Sequence, residues 1–187
     1  MKQILKKIIQ KIIKIVYKPK LGNIIINKSR SKIRTSIFGT NNYIEISKNC
    51  ILKDLHIWIE GDNNKVTIGE GTTVEQMQIA CVGYEENKII IGNDCMFSSG
   101  IRVVNTDSHS IISLDNKLRI NPEKDVVIGN HVWVGADSKI LKGVTIGDNS
   151  VIAMNSVVTK DISCNCIYGG VPAKLIKENI TWDRKRL

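Results

Sequence analysis

The chain has 187 residues, of which 42% are hydrophobic and 5% aromatic, and its formal net charge is +9. This length fits one domain with small appendages, and the hydrophobic content is sufficient for a packed core. The lysines and arginines concentrate at the two ends of the chain, without interleaved aromatic residues or a recognised binding motif, so nucleic acid is excluded as a partner.

Residues 1–18 alternate isoleucines with lysines, and Ile4, Ile8 and Ile12 fall on one helical stripe. The pattern predicts a basic amphipathic helix that ends before Pro19. Two interpretations remain open. The helix could lie on an anionic membrane surface, or it could pack across the open end of the fold or against a neighbouring subunit. The run contains too many lysines to cross a bilayer or to act as a secretory signal, which favours a cytoplasmic protein, either free or peripheral on the inner membrane.

Residues 19–43 read as a polar connection with weak strand character. A six-residue period then dominates residues 44–167 and is clearest in its second half. There an aliphatic residue recurs at every sixth position, namely at Ile128, Val134, Ile140, Ile146, Ile152 and Val158.

A period of six differs from the helical period of 3.6 and the strand period of 2, and it is typical of a parallel β-helix. Three hexads make one triangular coil, so we expect aliphatic residues three hexads apart to stack inside the prism. We also expect the glycines that follow several of them, such as Gly129 and Gly135, to help the chain turn at a corner.

Two segments depart from the period. Residues 104–127 interrupt it completely, and insertions in repeat folds form loops that leave the stack, often at the binding face. Residues 168–187 follow the last coil as a short basic tail, in which Gly169 and Gly170 permit unusual backbone angles and Pro172 is expected to stop further strand pairing.

The chain has five cysteines, and this odd number fits free thiols in a reducing compartment. Cys164 and Cys166 make a lone C-x-C without a second pair nearby, so no metal site is predicted.

Five short segments resemble the hexapeptide-repeat acyltransferases: residues 94–99 (DCMFSS), 106–111 (TDSHSI), 132–136 (VWVGA), 155–162 (NSVVTKDI) and 170–174 (GVPAK). The first two are most similar to the sugar O-acetyltransferases of bacterial surface-polysaccharide synthesis, including those of sialic-acid capsules. The resemblance implies an all-β, left-handed parallel β-helix, a homotrimer with active sites between subunits, acetyl-CoA as the donor and a sugar or polysaccharide as the acceptor.

Acetyl transfer to a hydroxyl group requires a base, and histidine suits this role near neutral pH. His109, at the start of the interrupting loop, matches the catalytic histidine of the resembled family. Asp107 could orient its ring, contact the acceptor or hold the loop, and a backbone carbonyl or Glu75 could orient the ring instead. Trp133 matches a tryptophan that lines the site in these relatives, although an interface contact is the alternative. His131 reads as a structural surface residue.

The resemblance also implies a set of contacts to acetyl-CoA. Backbone N–H groups at Gly135, Ala136 and Met154 correspond to those that hold the acetyl carbonyl or the pantetheine arm, although Met154 replaces a common alanine. The phosphate and adenosine positions are Thr159, Lys160, Lys174 and Lys177, and the alternative for each lysine is an ordinary solvated side chain.

Three other functions are alternatives on this fold. A zinc-dependent carbonic anhydrase on the same fold needs three histidine ligands, and the three histidines of this chain lack the required spacing. A small acceptor, such as an antibiotic, serine or a nucleotide-sugar amine, remains open. So does a non-catalytic trimeric β-helix module, which coenzyme A would not stabilise.

Overall fold

The structure is a computed structural model that describes residues 16–17 and 22–186. Within these ranges the chain forms eighteen β-strands and no α-helix. The first ten are β1 (Val16–Tyr17), β2 (Ile24–Asn27), β3 (Arg34–Phe38), β4 (Tyr43–Ile46), β5 (Ile51–Gly61), β6 (Lys65–Ile68), β7 (Thr73–Gly83), β8 (Lys88–Ile91), β9 (Met96–Phe97) and β10 (Ile101–Val104). The remaining eight are β11 (Val126–Ile128), β12 (Trp133–Val134), β13 (Lys139–Ile140), β14 (Thr145–Ile146), β15 (Val151–Ile152), β16 (Val157–Val158), β17 (Ile167–Gly169) and β18 (Lys174–Lys177).

The strands stack into a three-sided parallel β-helix, as the hexads predict. Strands β2, β4, β6, β8, β11 and β14 form the first face. Strands β5 and β7 turn a corner, so that the other two faces belong to one continuous sheet. The second face carries β9, β12, β15 and β17 beside the first halves of β5 and β7. The third face carries β3, β10, β13 and β16 beside their second halves.

The register confirms the predicted stacking of aliphatic residues in the second half of the chain. Ile128 pairs with Ile146, and Val134 pairs with Ile152, each 18 positions later. All four side chains are at most 1% exposed, so they fill the prism. Each isoleucine or valine buried in this way contributes roughly 1.5–3 kcal/mol to stability.

The first half of the chain has longer coils than the hexad pattern suggests. Ile46 pairs with Ile68, 22 positions later, and the extra residues lie in the long strands β5 and β7. Parallel pairing also begins at β2, about twenty residues before the predicted start at residue 44. Residues 24–38 of the predicted connection are therefore part of the β-helix.

The predicted helix over residues 1–18 lies almost entirely outside the described residues, as does any membrane contact it would make. At its end the prediction is wrong, because Val16–Tyr17 form a strand that pairs antiparallel with Ile25 and Ile26. This pairing covers the free edge of the first coil.

The glycines act in a different way from the one expected. A Cβ atom on Gly135 would lie 2.6 Å from the Met154 nitrogen, so glycine is required there because successive coils approach closely. Gly129 and Gly135 do not have a positive φ, and the left-handed corner conformations belong to other residues, among them Asp137 (φ 59°), Asn155 (φ 56°) and Gly143 (φ 75°). Asparagine and aspartate adopt this conformation more readily than other non-glycine residues.

A ladder of buried asparagines stabilises the corner that precedes the first face. The Asn42 side chain accepts a hydrogen bond from the Asn64 N–H at 2.9 Å and donates to the Gly61 carbonyl at 2.9 Å. Asn23 accepts from the Asn42 N–H at 2.8 Å in the same way. Because the amides satisfy one another and the backbone, the polar groups can be buried at little cost.

The interrupting loop leaves the stack between β10 and β11 and folds into a short hairpin. Ile112 and Arg119 form an antiparallel bridge, and the Ile120 N–H donates to the Ile111 carbonyl at 2.9 Å. The loop therefore has a defined shape, with its root beside the third face.

Candidate active site

His109 lies at the root of the hairpin, in the segment that follows β10, with an exposed side chain. Its ring borders a groove of about 670 Å³ along the third face. The groove is lined by Trp58, Glu60, Gln78, Ala80, Val82, Arg102, Val104, Thr106, Asp107, Ser108, His109, Lys139 and Leu141. The ring forms no hydrogen bond with any described residue, so both of its nitrogens are available to a substrate.

Asp107 does not orient the His109 ring, because its carboxylate is bound by other residues. Its carboxylate forms an ion pair with Lys142 at 2.5 Å and accepts a hydrogen bond from the Asn121 side chain at 2.9 Å. The hydrogen bonds from Lys142 and Asn121 hold the pKa of Asp107 below its ordinary value. The alternative Glu75 pairs with Lys53 at 2.8 Å on the second face. Neither carboxylate bonds to the His109 ring.

Asn121 connects the two ends of the hairpin and was not identified from the sequence. Its side-chain nitrogen donates to Asp107 and, at 2.9 Å, to the His109 carbonyl, while its oxygen accepts from the Ile111 N–H at 2.7 Å. The side chain of Lys142 donates to the Asn121 carbonyl at 3.0 Å. This network fixes the backbone that carries His109, and its residues show no periodic pattern that could have revealed it.

Trp133 lies on β12, on the second face, and is 39% exposed. It does not line the groove of His109, which follows the third face. One chain therefore does not bring together the two residues that the sequence analysis placed in one site.

Two of the three positions predicted to contact acetyl-CoA through the backbone have a free N–H group. The N–H groups of Ala136 and Met154 have no hydrogen-bond acceptor among the described residues and lie at the same corner of adjacent coils. The Gly135 N–H is already bonded to the Ile152 carbonyl at 2.8 Å. Ala136 and Met154 can thus donate to a ligand, whereas Gly135 acts by permitting close stacking.

The predicted phosphate contacts cluster near the end of the β-helix. Thr159, Lys160, Lys174 and Lys177 are all exposed. Lys174 pairs with Gly169 in the β17–β18 hairpin, which continues the same corner beyond Met154. The prediction that pairing stops at Pro172 is therefore wrong, because the chain reverses there and β18 pairs antiparallel with β17. None of the three lysines forms an ion pair with a described carboxylate, so their charges are available to an anionic ligand.

The predicted basic tail is folded onto the β-helix. Trp182 is 8% exposed, its ring stacks on His131, and its centroid lies 6.1 Å from that of Trp133. Arg184 donates to Asp94, to the Thr73 hydroxyl and to the Cys95 carbonyl. Residues 180–186 are called the C-terminal strap below. His131 thus lies between Asp94 and Trp182, in contacts that fit its predicted structural role.

The part of the chain that the structure describes contains no cluster of histidine, cysteine, aspartate or glutamate suited to a metal ion. It also contains no helix with the length and hydrophobicity needed to cross a membrane.

Comparisons with known proteins agree with this architecture. Residues 125–160 match the bacterial transferase hexapeptide family model (six repeats). A polysialic acid O-acetyltransferase of Neisseria meningitidis is 37% identical over 185 residues, covering 87% of this chain and 85% of the relative. One from Escherichia coli O1:K1 is 41% identical over 146 residues, covering 76% of this chain and 45% of the relative. The crystal structure of the polysialic acid O-acetyltransferase OatWY superposes with a TM-score of 0.67 at 34% identity, covering 89% of this chain and 90% of that one.

The fold and the site thus define an acyltransferase built from hexapeptide repeats. The chain belongs to the hexapeptide-repeat O-acetyltransferase family that includes these relatives. The predicted left-handed parallel β-helix and the predicted O-acetyltransferase class are confirmed.

Proposed function

We propose that the chain transfers the acetyl group of acetyl-CoA to a hydroxyl group of polysialic acid or a similar acidic polysaccharide. The observation that carries this proposal is the charge of the groove beside His109. Arg102 and Lys139 are paired neighbours on β10 and β13, both are exposed, and neither forms an ion pair with a described residue. They offer the groove two uncommitted positive charges for the carboxylates of an acidic sugar chain.

In this mechanism His109 accepts the proton of the sugar hydroxyl while the hydroxyl oxygen attacks the thioester carbonyl carbon. Backbone donors, of which Ala136 and Met154 are candidates, stabilise the oxyanion of the tetrahedral intermediate. The carbon–sulfur bond then breaks, and the coenzyme A thiolate leaves and takes up the proton from His109. The acetyl group remains on the sugar oxygen as an ester.

The same proposal includes a homotrimer with shared sites. His109 and Trp133 lie on different faces of one chain, so a complete site requires His109 from one copy and Trp133 from a neighbour. Lys160, Lys174 and Lys177 would hold the phosphates of acetyl-CoA, with Thr159 near its adenosine.

We also place the reaction in the cytoplasm, where acetyl-CoA and free thiols are both expected. Peripheral contact of residues 1–18 with the inner membrane face would bring the enzyme close to a growing polysaccharide, and it rests on the sequence pattern alone.

The test is a comparison of acceptors. Purified protein and acetyl-CoA are incubated with polysialic acid, with a neutral polysaccharide and with small acceptors such as chloramphenicol and serine, and the released thiol is measured. We expect thiol release with polysialic acid, and an increase in KM for it of about tenfold in the Arg102→Ala and Lys139→Ala variants, with KM for acetyl-CoA unchanged. Faster transfer to a neutral or small acceptor would contradict the proposed acceptor. A rise in KM for acetyl-CoA alone would assign the two cations to the donor instead.

A further inference from the structure

The groove of His109 extends along the third face to Trp58 in an early coil, and Phe38 packs beside this ring. Trp58 on β5 lines the groove, and its ring centroid lies 4.9 Å from that of Phe38 on β3, with the planes tilted by 44°. The Phe38 side chain is 55% exposed. A half-buried ring in a groove with an exposed aromatic ring beside it forms an accessible apolar patch, which is typical of ligand-binding surfaces.

The shape of the groove follows from the register of the strands. Trp58 pairs with Ala80, and Ala80 pairs with Val104 on the strand that leads to His109. The small Ala80 side chain leaves a depression between the indole on one side and the larger Val104 on the other. The concave surface is therefore continuous from the indole to His109.

The length of this surface exceeds one sugar unit. Three strand spacings separate β3 from β10, which corresponds to roughly 14 Å. A ligand that contacts both the aromatic rings and His109 must therefore be longer than a monosaccharide.

The charges of the groove favour an acidic ligand. Arg102 and Lys139 carry uncommitted positive charges, and the negative charge of Asp107 is already paired with Lys142. Glu60 is the exception, because its carboxylate lines the groove and forms no ion pair with a described residue. Sugar rings also present an apolar face of C–H bonds, which matches the surface of an aromatic ring.

We propose that Phe38 and Trp58 form a distal acceptor subsite, in which the rings pack against a sugar unit remote from the one that His109 deprotonates. The proposal rests on the proposed function and adds that the enzyme prefers polymeric over short acceptors. Binding energy gained at the remote unit anchors the chain and positions the reacting hydroxyl. The adenine of acetyl-CoA is the competing occupant, but the candidate donor contacts at Ala136, Met154 and Lys174 lie toward the opposite end of the β-helix.

The experiment measures KM and kcat for long polysialic acid, for short sialic acid oligomers and for acetyl-CoA. In the Phe38→Ala/Trp58→Ala variant we expect KM for the long polymer to rise about tenfold, while both constants for short oligomers and KM for acetyl-CoA stay unchanged. Trp58→Phe keeps a ring and should restore most of the preference for polymer. Tyr84→Ala is the matched control, because Tyr84 is a 74% exposed aromatic residue outside this groove.

A second variant tests the same subsite by a change that should lower KM for the polymer. Glu60→Gln removes the uncommitted negative charge, and we expect it to lower KM for the long polymer without changing KM for acetyl-CoA. The inference is overturned if the double variant treats long and short acceptors as the wild type does, or if only its KM for acetyl-CoA rises. Loss of transfer to polysialic acid by the wild type would be a different result, since it would refute the proposed function itself.

Discussion

The ring of Trp182 lies flat on the ring of His131, with centroids 4.1 Å apart and planes 8° from parallel. Two hydrogen bonds tie the same residues together. The Trp182 indole N–H donates to the His131 carbonyl at 2.7 Å, and the His131 Nε2 lies 2.9 Å from the Trp182 carbonyl. A segment near the C-terminus is thereby attached to a coil about fifty residues earlier, beside Trp133.

Replacing Trp182 should loosen the C-terminal strap. Trp182→Ala removes a buried aromatic side chain, so we expect the free energy of unfolding to fall by about 3 kcal/mol. Trp182→Phe keeps a stacked ring and loses only the indole donor, so the loss should be about 1 kcal/mol. Urea denaturation measures both, with the exposed Lys185→Ala as the control within the strap. An alanine variant as stable as the control would show that the strap contributes little.

Acidification should weaken the same attachment through Asp94. Its carboxylate lies 2.7 Å from the His131 Nδ1 and 3.0 Å from the Arg184 Nε. Burial raises the pKa of Asp94, but the hydrogen bonds from His131 and Arg184 outweigh it and leave the pKa lowered. A carboxyl group with a lowered folded-state pKa stabilises the fold above its unfolded pKa of ~3.9, and this contribution is lost as the pH falls through the folded-state value.

Asp94→Asn tests this directly and is compatible with the left-handed backbone at this position (φ 52°). We expect the variant to be less stable than the wild type at neutral pH, with the difference shrinking below about pH 4. Unfolding measured across this pH range provides the test, and a difference that stays constant down to strong acid would contradict the role of Asp94.

The sequence predicts the fold best in the second half of the chain, where the six-residue repeat is regular. Ile128 and Ile146 pair because every coil between them has the same length, and the six-residue period records that length directly. The length of the early coils was not predicted, because β5 and β7 pass a corner as continuous strands. Along them the burial pattern is mostly the two-residue alternation of an ordinary strand, which hides the six-residue period. The strands β2 and β3 were missed because only one of their side chains is buried, so no regular aliphatic period marks them.

The site was less accessible to sequence reasoning because its contacts join distant positions. His109 could be identified from its chemistry and its place in the interrupting loop. Asn121 could not, since its role depends on how the hairpin folds back on Asp107. The partners of Trp182 and the aromatic pair of Phe38 and Trp58 likewise depend on the register of the coils and not on any local motif.

Asn121 should be a positioning residue for His109. Asn121→Ala removes the donor to the His109 carbonyl and to Asp107, so we expect kcat to fall about tenfold while KM for acetyl-CoA changes little. Asn116→Ala is the matched control, because this asparagine lies in the same hairpin and bonds only the Leu118 N–H. Equal kcat values in the two variants would remove Asn121 from the account.

The thiols should differ sharply in reactivity. Cys164 is exposed, whereas Cys50, Cys81, Cys95 and Cys166 are buried. Burial raises the pKa of Cys81 to about 12 and that of Cys95 to about 11, so both remain protonated near neutral pH. We expect a thiol reagent at about pH 8 to modify one cysteine rapidly in the native protein, and Cys164→Ser to abolish that phase. Rapid modification of a second thiol would show that the coils open more readily than their packing suggests.

The most direct test of the account is the turnover of His109→Ala with acetyl-CoA and polysialic acid, compared with His56→Ala. His56 lies on the third face and bonds the Ser36 hydroxyl at 3.0 Å, so it controls for the loss of an imidazole from the same surface. The account predicts that His109→Ala loses at least about 100-fold in kcat while still binding acetyl-CoA, and that His56→Ala retains activity. Turnover near the wild-type rate in His109→Ala would contradict it.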